Sequence, residues 1–333
     1  MKYRMLGKNL KVAPVGLGLM GYSHAYGAPV DKKIARELIA QAVEIGYNFF
    51  DTAEIYGTPE NPHDNEELVG AALKPYRDKV FIGTKFGIQF DWTSDATNLP
   101  VITDARPATI KKSIEGSLKR LQTDHVDIYY LHRQDKNVPI EEVAGVMQIL
   151  IDEGKILNWG LSEVDEEIIR RAHKVCPVAA IQNRYSMMYR DYEKLFPVLE
   201  ELNIGLVAFS PTANGLLSGA YDKDSKFEKK IDYRSAMPQF TAEAMDKNKN
   251  LFELLENTAQ IKNATKTQIA LAWMLCKKNY IVPIPGTRKL ERLKENFGAA
   301  NVELSADEVK AIDDALNNME MSAVYGGAPV KSR

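Results

Sequence analysis

The chain has 333 residues, of which 45% are hydrophobic and 26% are charged, and its formal net charge is -2. This composition is typical of an ordinary globular protein and argues against a disordered chain. Acidic and basic residues are mixed along the whole length, which argues against the clustered basic surface of a nucleic-acid-binding protein.

The amino terminus and the cysteines indicate where the protein works. Residues 1–8 interrupt every apolar stretch with charges, so they lack the hydrophobic region of a signal peptide. No later run has the apolar length needed to span a bilayer. Cys176 and Cys276 stand at neither disulfide-motif nor metal-ligand spacing, and we expect both to be buried thiols. We therefore expect a cytoplasmic protein with no membrane partner and no metal, acting on a small molecule.

Short apolar runs alternate with longer amphipathic segments, a pattern that predicts parallel strands connected by helices. A hairpin around Gly7, Lys8 and Asn9 precedes them. The predicted strands are residues 15–18, 48–51, 80–85, 126–132, 156–162, 178–182, 205–210 and 281–284. Eight strands close a (β/α)8 TIM barrel, and no Pro/Gly/Ser-rich linker divides the chain. The sequence therefore predicts an α/β fold with residues 1–333 in a single barrel domain.

Capping residues mark the predicted helices. Asp31 is a predicted N-cap, and Gly46 ends the same helix. Ser305 and Glu308 form a predicted capping box that starts an extra carboxyl-terminal helix. Further helices are predicted after Pro107, Pro139, Asp165 and Asp191.

Two connections, 86–106 and 211–244, exceed the usual loop length. Such loops are predicted to be lids or binding loops, with an insertion of no particular role as the alternative.

Gly16, Gly18 and Gly21 match the G-x-G-x-x-G fingerprint of dinucleotide-binding folds. That fingerprint must open a helix, yet residues 22–29 are a poor helix sequence, and the acidic candidate Asp51 comes later than the usual ~20 residues. We therefore reject a Rossmann domain. The first barrel strand is predicted to end at Gly18, where glycines let a ligand approach the backbone.

Polar residues stand at or just beyond the ends of three consecutive strands: Asp51 and Tyr56, then Lys85, then His132. We expect them to converge, because ligands bind at the carboxyl ends of parallel strands. Lys85 would favour the phenolate of Tyr56, and Asp51 would keep Lys85 charged. His132 could hold a substrate carbonyl in line with the phenol.

Taken singly, these residues could be a cap, a solvated lysine or a structural histidine. Taken together, they predict protonation of a carbonyl oxygen. None of these side chains can supply the two electrons that a reduction needs, so a hydride-carrying cofactor is required.

These motifs resemble those of the aldo-keto reductase family. Residues 46–57, GYNFFDTAEIYG, are similar to the family's pattern of glycine, apolar strand, Asp-Thr-Ala and Tyr-Gly. Residues 84–86 and 129–132 are similar to its next two motifs, and the resemblance runs from residue 6 to about residue 300. It implies a (β/α)8 barrel that reduces aldehydes and ketones with NADPH. It also implies that Tyr56 is the general acid, that Lys85 and Asp51 tune it, and that His132 orients the carbonyl.

The resemblance also implies a cofactor site. The last strand leads into Gly286, Arg288 and Arg292, where a helix amino terminus and two guanidinium groups can bind a phosphate. This favours NADP(H) over NAD(H), whereas the alternative is that the arginines only decorate an exposed helix. The positions implied to contact the cofactor are Gly18, Met20 and Asp51; Ser162 and Gln182 at the carboxamide; Phe209 on the nicotinamide; Ser210, Pro211, Asn214 and Leu216 at the pyrophosphate; and Gly286, Thr287, Arg288, Arg292, Glu295 and Asn296 around the adenosine.

Three departures from the family pattern affect this site. Glu163 stands where the family often has Asn, and Phe209 stands where it usually has Tyr. Residues 212–214 replace a Leu-Gly-Arg sequence, so an arginine contact at position 214 is lost. We expect weaker cofactor retention as a result. Phe209 could alternatively be an ordinary core aromatic.

The predicted substrate pocket is lined from the loops by Tyr22, Tyr26, Phe86, Trp92 and Arg133. Their aromatic character suits an apolar or aromatic carbonyl compound, although loop aromatics could equally pack a lid. Arg133 could attract a carboxylated substrate or pair with an acidic neighbour. The sequence indicates neither the particular substrate nor the oligomeric state.

Two other classes of function remain open. Some proteins that resemble this family are cytoplasmic subunits of potassium channels, which bind nucleotide with little turnover; the lack of an added amino-terminal segment weakens that alternative. A barrel isomerase or lyase without nicotinamide would instead use residues 288–296 to bind a substrate phosphate.

Overall fold

The structure, a computed structural model, describes residues 3–58, 60–91, 100–229, 231–326 and 330–331. The strands are β1 (Arg4–Leu6), β2 (Leu10–Val12), β3 (Leu17–Gly18), β4 (Phe49–Asp51), β5 (Phe81–Phe86), β6 (Ile88–Phe90), β7 (Val101–Thr103), β8 (Ile128–Leu131), β9 (Trp159–Ser162), β10 (Ala180–Arg184), β11 (Gly205–Phe209), β12 (Ile281–Pro283) and β13 (Val330–Lys331). The α-helices are α1 (Lys32–Ile45), α2 (Asp64–Leu73), α3 (Pro107–Leu121), α4 (Ile140–Asp152), α5 (Glu166–Val175), α6 (Phe196–Leu202), α7 (Ala242–Lys247), α8 (Lys249–Lys262), α9 (Lys266–Lys277), α10 (Leu290–Gly298) and α11 (Ala306–Asn317). Short 3₁₀ helices cover Met20–Tyr22, Lys74–Lys79, Asp191–Leu195, Leu216–Ser218, Tyr233–Ala236, Pro238–Phe240 and Ala299–Asn301.

Eight parallel strands form the central sheet, in the order β3-β4-β5-β8-β9-β10-β11-β12. The Gly16 amide donates to the Pro283 carbonyl at 3.0 Å, which joins the first strand to the last. The predicted (β/α)8 architecture is confirmed, and each of the eight predicted strands occurs, although several begin later than the sequence pattern indicated.

Close packing of the first strand against the last explains two glycines. A Cβ at Gly18 would lie 2.8 Å from the Ile284 carbonyl oxygen, and one at Gly16 would lie 2.8 Å from the Phe49 ring. The chain then forms only a 3₁₀ turn, and α1 does not begin until Lys32. The rejection of a Rossmann domain is therefore confirmed. Close packing within the barrel accounts for both glycines, and the expectation that they also let a ligand approach the backbone stays a prediction.

The predicted helix ends at α1 and α11 are confirmed in detail. The Asp31 carboxylate accepts from the amides of Lys33 and Ile34 at 2.9 and 3.1 Å. Gly46 ends α1 in the left-handed region at φ 119°, and Ser305 with Glu308 forms a reciprocal capping box at α11. After Asp191 the chain differs from the prediction: a 3₁₀ turn comes first, and α6 begins at Phe196.

Cys176 is buried as expected, but Cys276 is exposed, which corrects the expectation of two buried thiols. Cys276 lies in the last turn of α9, beyond the stretch of that helix whose side chains are buried.

The β1–β2 hairpin covers the amino-terminal end of the barrel. Leu6, Leu10 and Val12 pack into the apolar barrel interior, and a Cβ at Gly205 would lie 2.3 Å from the Leu6 side chain. The carboxyl ends of the strands are therefore the end at which the loops can form a site.

The two long connections both lie over that carboxyl end. The 86–106 connection contains the antiparallel pair β6–β7, and β13 adds to it beside β7. The 211–244 connection reaches the loop after β3, since the Gly27 amide donates to the Ile231 carbonyl at 2.9 Å. Within the described ranges, no helix combines the length and apolarity required to cross a membrane.

Candidate active site

A buried ion pair lies at the carboxyl ends of β4 and β5. The Lys85 Nζ donates to Asp51 Oδ1 at 2.5 Å and to the Thr52 carbonyl at 2.7 Å. Gln182 Nε2 donates to the second Asp51 oxygen at 2.7 Å. Burial lowers the pKa of Lys85, but Asp51 and Tyr56 outweigh this effect and hold its pKa above the ordinary value. Lys85 is therefore an ammonium at neutral pH.

Tyr56 lies against this ammonium. Lys85 Nζ lies over the Tyr56 ring, 4.8 Å from its centroid. Burial raises the pKa of Tyr56, and the Lys85 charge opposes that rise. The phenol therefore keeps its proton at neutral pH, while the adjacent cation can stabilise the phenolate that forms once the proton has left. The effect of Lys85 on the pKa of Tyr56 was predicted from the sequence, but the larger effect of burial was not.

The His132 ring stands nearly at right angles to the Tyr56 ring. Its ring centroid is 5.6 Å from that of Tyr56, with an interplanar angle of 83°. Burial, followed by the charges of Arg133 and Lys85, holds the pKa of His132 well below its ordinary value. Nδ1 is buried and has no partner in the part of the chain that the structure describes. A neutral imidazole of this kind can donate one hydrogen bond to a carbonyl oxygen.

The residues predicted at three strand ends are thus brought into one cluster. The first loop anchors Tyr56, because Ser23 Oγ donates to the Tyr56 carbonyl at 2.6 Å. The arrangement can hold a proton on Tyr56, stabilise its conjugate base and orient an oxygen acceptor beside it. The individual roles remain predictions.

The polar groups predicted to hold a carboxamide lie at the ends of β9 and β10, but with partners of their own. Ser162 Oγ accepts from Arg133 at 3.2 Å, and Gln182 is bonded to Asp51. Asn183, which the sequence analysis did not assign, accepts the Glu163 amide at 2.7 Å through Oδ1. Its Nδ2 is buried and has no hydrogen-bond partner among the residues described.

Glu163 forms ion pairs with two arginines at the same end of the barrel. Its carboxylate lies 3.0 Å from Arg133 and 3.4 Å from Arg184. The Arg184 guanidinium lies 5.5 Å from the centroid of the Phe209 ring. Phe209 is half-buried beside the barrel interior, so one face of the ring can receive a flat group.

The arginines predicted to bind a phosphate are not equivalent. Arg288 holds the loop after β3, donating to the Gly21 carbonyl at 2.5 Å and the Ala28 carbonyl at 3.0 Å. Its Nη2 is buried and has no partner within the described ranges. Arg292 instead pairs with Glu295 at 2.5 Å on the first turns of α10.

The remaining positions predicted to contact the cofactor lie on α10, on the loop before it and directly after β3. Thr287 Oγ1 accepts the Lys289 amide at 3.2 Å, directly before α10. Asn296 is buried at 4% exposure. A Cβ built on Gly286 would lie 2.9 Å from the Gly18 carbonyl, and Met20 begins the 3₁₀ turn that follows.

The loop after β11 is tied to neighbouring loops. Asn214 Nδ2 donates to the Tyr26 hydroxyl at 2.7 Å, and Gln239 donates to Asn214 Oδ1 at 3.0 Å. Ser210 has a positive φ of 50°, and Pro211 and Leu216 are buried in the same turn. The asparagine at the position of the family's arginine therefore serves contacts between loops.

The structure revises the predicted substrate-pocket residues. Tyr22 and Phe86 are 1% and 0% exposed and belong to the main hydrophobic core, so they support the mouth of the barrel from below. Tyr26 is fixed by Asn214 and lies 5.3 Å from the Arg234 guanidinium. Arg133 is paired with Glu163, and Trp92 lies outside the described residues.

A histidine that the sequence analysis passed over lies beside Tyr56. The His24 ring stacks on Tyr56 with centroids 6.1 Å apart, and its Nδ1 is 2.7 Å from the Gly57 carbonyl. Tyr233 packs edge-on against His24 at 5.5 Å. Only the placement of His24 in a loop after the first strand could have indicated this, since its partners are remote in sequence.

The chain is similar to known proteins over most of its length. The family model described as "Aldo/keto reductase family" matches residues 14–317. The "Probable aldo-keto reductase 1" of Glycine max is 38% identical over 314 residues, which are 93% of this chain and 87% of that protein. The glycerol dehydrogenase AKR11B4 from Gluconobacter oxydans has a TM-score of 0.85 at 29% identity and covers 98% of each chain. The holo form of aldo-keto reductase AKR11C1 from Bacillus halodurans has a TM-score of 0.76 at 28% identity, covering 98% of this chain and 99% of that chain.

Proposed function

Because this chain belongs to the aldo-keto reductase family, we propose that it reduces an aldehyde or ketone to an alcohol with NADPH, using Tyr56 as the proton donor. The observation that carries the proposal is the buried Asp51–Lys85 pair, 2.5 Å apart, with its ammonium against the Tyr56 phenol. An ammonium held in that position can stabilise the phenolate that forms when the phenol gives up its proton.

When bound, the nicotinamide supplies the hydride that the carbonyl carbon accepts. Tyr56 breaks its O–H bond and forms the new O–H bond of the alcohol, and Lys85 stabilises the phenolate that remains. The neutral His132 imidazole donates a hydrogen bond that orients the carbonyl oxygen. Reversal of the same steps would oxidise an alcohol.

The residues present fit a nicotinamide. Ser162 and Asn183 offer polar atoms at adjacent strand ends, and the unpartnered Nδ2 of Asn183 suits a carboxamide oxygen. We propose that Asn183 supplies the contact that Glu163, a carboxylate engaged with two arginines, does not. Phe209 would stack on the ring.

We propose an uncharged substrate. Arg133 lies close to His132, but its guanidinium is engaged by the Glu163 carboxylate, the His132 carbonyl and Ser162, so its donors are already occupied. The side chains beside Tyr56 that face the loops are His24 and Tyr233, which suit a neutral or aromatic carbonyl compound.

The direct test is a screen of aldehydes, ketones and quinones with NADPH and NADH side by side, following loss of the reduced cofactor. Glyceraldehyde belongs in the panel, and glycerol belongs in a reverse assay that starts from NADP+ or NAD+ and follows formation of the reduced cofactor, because AKR11B4 is named a glycerol dehydrogenase. We expect carbonyl-dependent turnover that is faster with NADPH. Tight NADPH binding without turnover of any compound would favour a nucleotide-binding interaction subunit, and lack of nicotinamide binding would favour an isomerase or lyase.

Coenzyme preference gives a second prediction. Arg292→Ala should raise the KM for NADPH roughly tenfold and leave the KM for NADH unchanged, since one charge-assisted hydrogen bond to a phosphate is worth about that much. Arg288→Ala should weaken both coenzymes, because Arg288 also holds the loop after β3 through two backbone carbonyls.

Steady-state kinetics of both variants give the KM values for NADPH and NADH that test this prediction. Equal losses for NADPH and NADH in Arg292→Ala would remove the argument for NADP(H).

A further inference from the structure

Two acidic residues, Glu66 and Glu54, lie behind the active site. Glu66 on α2 is fully buried, and each of its oxygens has a partner: Thr84 Oγ1 donates at 2.6 Å and Arg120 Nε at 2.6 Å. Thr84 directly precedes Lys85 on β5. Glu66 therefore anchors the strand that bears Lys85, and it also accepts the charge-assisted hydrogen bond of the Arg120 guanidinium.

Glu54 lies on the other side of this group, two residues before Tyr56, and joins three elements. Its amide donates to the Lys85 carbonyl at 3.3 Å, and its carbonyl oxygen lies 2.6 Å from His63 Nδ1. Its carboxyl accepts from Ser113 Oγ on α3 at 3.3 Å. The segment that carries Tyr56 is thus tied to β5 and α3 through one residue.

The surroundings of the Glu54 carboxyl disfavour a charge. Burial raises the pKa of Glu54 to about 8, the Glu66 carboxylate adds to the rise, and Ser113, Arg120 and Gly87 oppose it. Tyr129 on β8 faces the same space, with a pKa raised by burial and then by both carboxylates. Among the described residues, no ion pair is made by Glu54, because Arg120 pairs with Glu66.

We propose that Glu54 is a positioning residue that holds the Tyr56 segment against β5 through its amide and against α3 through its carboxyl, and so keeps the phenol on the Lys85 ammonium. This inference rests on the proposed function. The neutral carboxyl fits the site, whereas an ionised one would face the Glu66 carboxylate in a poorly solvated space without a cation of its own.

The test uses the full chain and three variants: Glu54→Gln, Glu54→Ala and the exposed control Glu44→Gln. At pH 7 we expect Glu54→Gln to keep kcat within about twofold, because the amide copies the neutral carboxyl, and Glu54→Ala to lose about tenfold or more. Wild type and Glu44→Gln should lose kcat as the pH rises through about 8, whereas Glu54→Gln should not.

Stability gives a readout that does not depend on any enzymatic activity. The pKa of Glu54 is raised in the folded state, so its stabilising contribution is complete below the unfolded pKa and is lost as the pH rises through about 8. The urea midpoint of Glu54→Gln should therefore rise relative to that of wild type as the pH rises through about 8, and Glu44→Gln should show no such trend.

The proposal is overturned if Glu54→Gln keeps the alkaline loss of kcat, or if Glu54→Ala is fully active. If the stability trend occurs but no reductase activity is found, the Glu54 carboxyl is protonated as proposed and the proposed function is wrong.

Discussion

Tyr56→Phe is expected to lower kcat for carbonyl reduction by about two to four orders of magnitude, the usual range for loss of a general acid. The variant removes one hydroxyl and leaves the ring between His132 and His24 in place. The dissociation constant for NADPH should therefore stay within about twofold of the wild-type value. Fluorescence titration of NADPH and single-turnover reduction of the best substrate measure the two quantities separately.

Tyr280→Phe is the matched control, because Tyr280 precedes β12 and its hydroxyl donates to Glu200 on the outer surface at 3.0 Å. It should keep the wild-type kcat. If Tyr56→Phe retained more than about a tenth of wild-type turnover, another group would have to deliver the proton.

Lys85→Met is expected to abolish most turnover and to lower the free energy of unfolding by about 3–5 kcal/mol, the usual cost of breaking a buried ion pair. Lys85 is 1% exposed and Asp51 is 3% exposed, so solvent cannot compensate the carboxylate left behind. Burial already raises the pKa of Asp51, and loss of Lys85 removes the main opposing charge. The variant should therefore be more destabilised at pH 8 than at pH 5, since a raised carboxyl pKa makes stability fall as the pH rises.

The double variant Asp51→Asn, Lys85→Met separates stability from catalysis. An amide at position 51 can still accept a hydrogen bond from Gln182, so urea unfolding should show that much of the lost stability returns. Turnover should not return, because no ammonium remains beside Tyr56. Recovery of kcat in the double variant would mean that Lys85 matters only for folding.

The fold could be predicted from short-range patterns. The alternation of apolar strands with amphipathic helices indicated the barrel, and Asp31 and Ser305 cap the helices that they were expected to cap. These signals are readable because a cap or a strand depends on neighbours within a few residues. The cluster of Asp51, Tyr56, Lys85 and His132 could be anticipated for a related reason, since the carboxyl ends of parallel strands meet at one face.

The sequence by itself thus determined the barrel and the group of polar residues that meets at its carboxyl end. Only the tertiary structure decided what surrounds that group: Gln182 donates to Asp51 across 131 positions, and Arg288 holds a loop 267 positions away. It also showed that burial outweighs Lys85 in setting the pKa of Tyr56, and that Glu54 faces Glu66. Burial and contacts between distant loops depend on how the whole chain packs, and no local pattern in the sequence carries them.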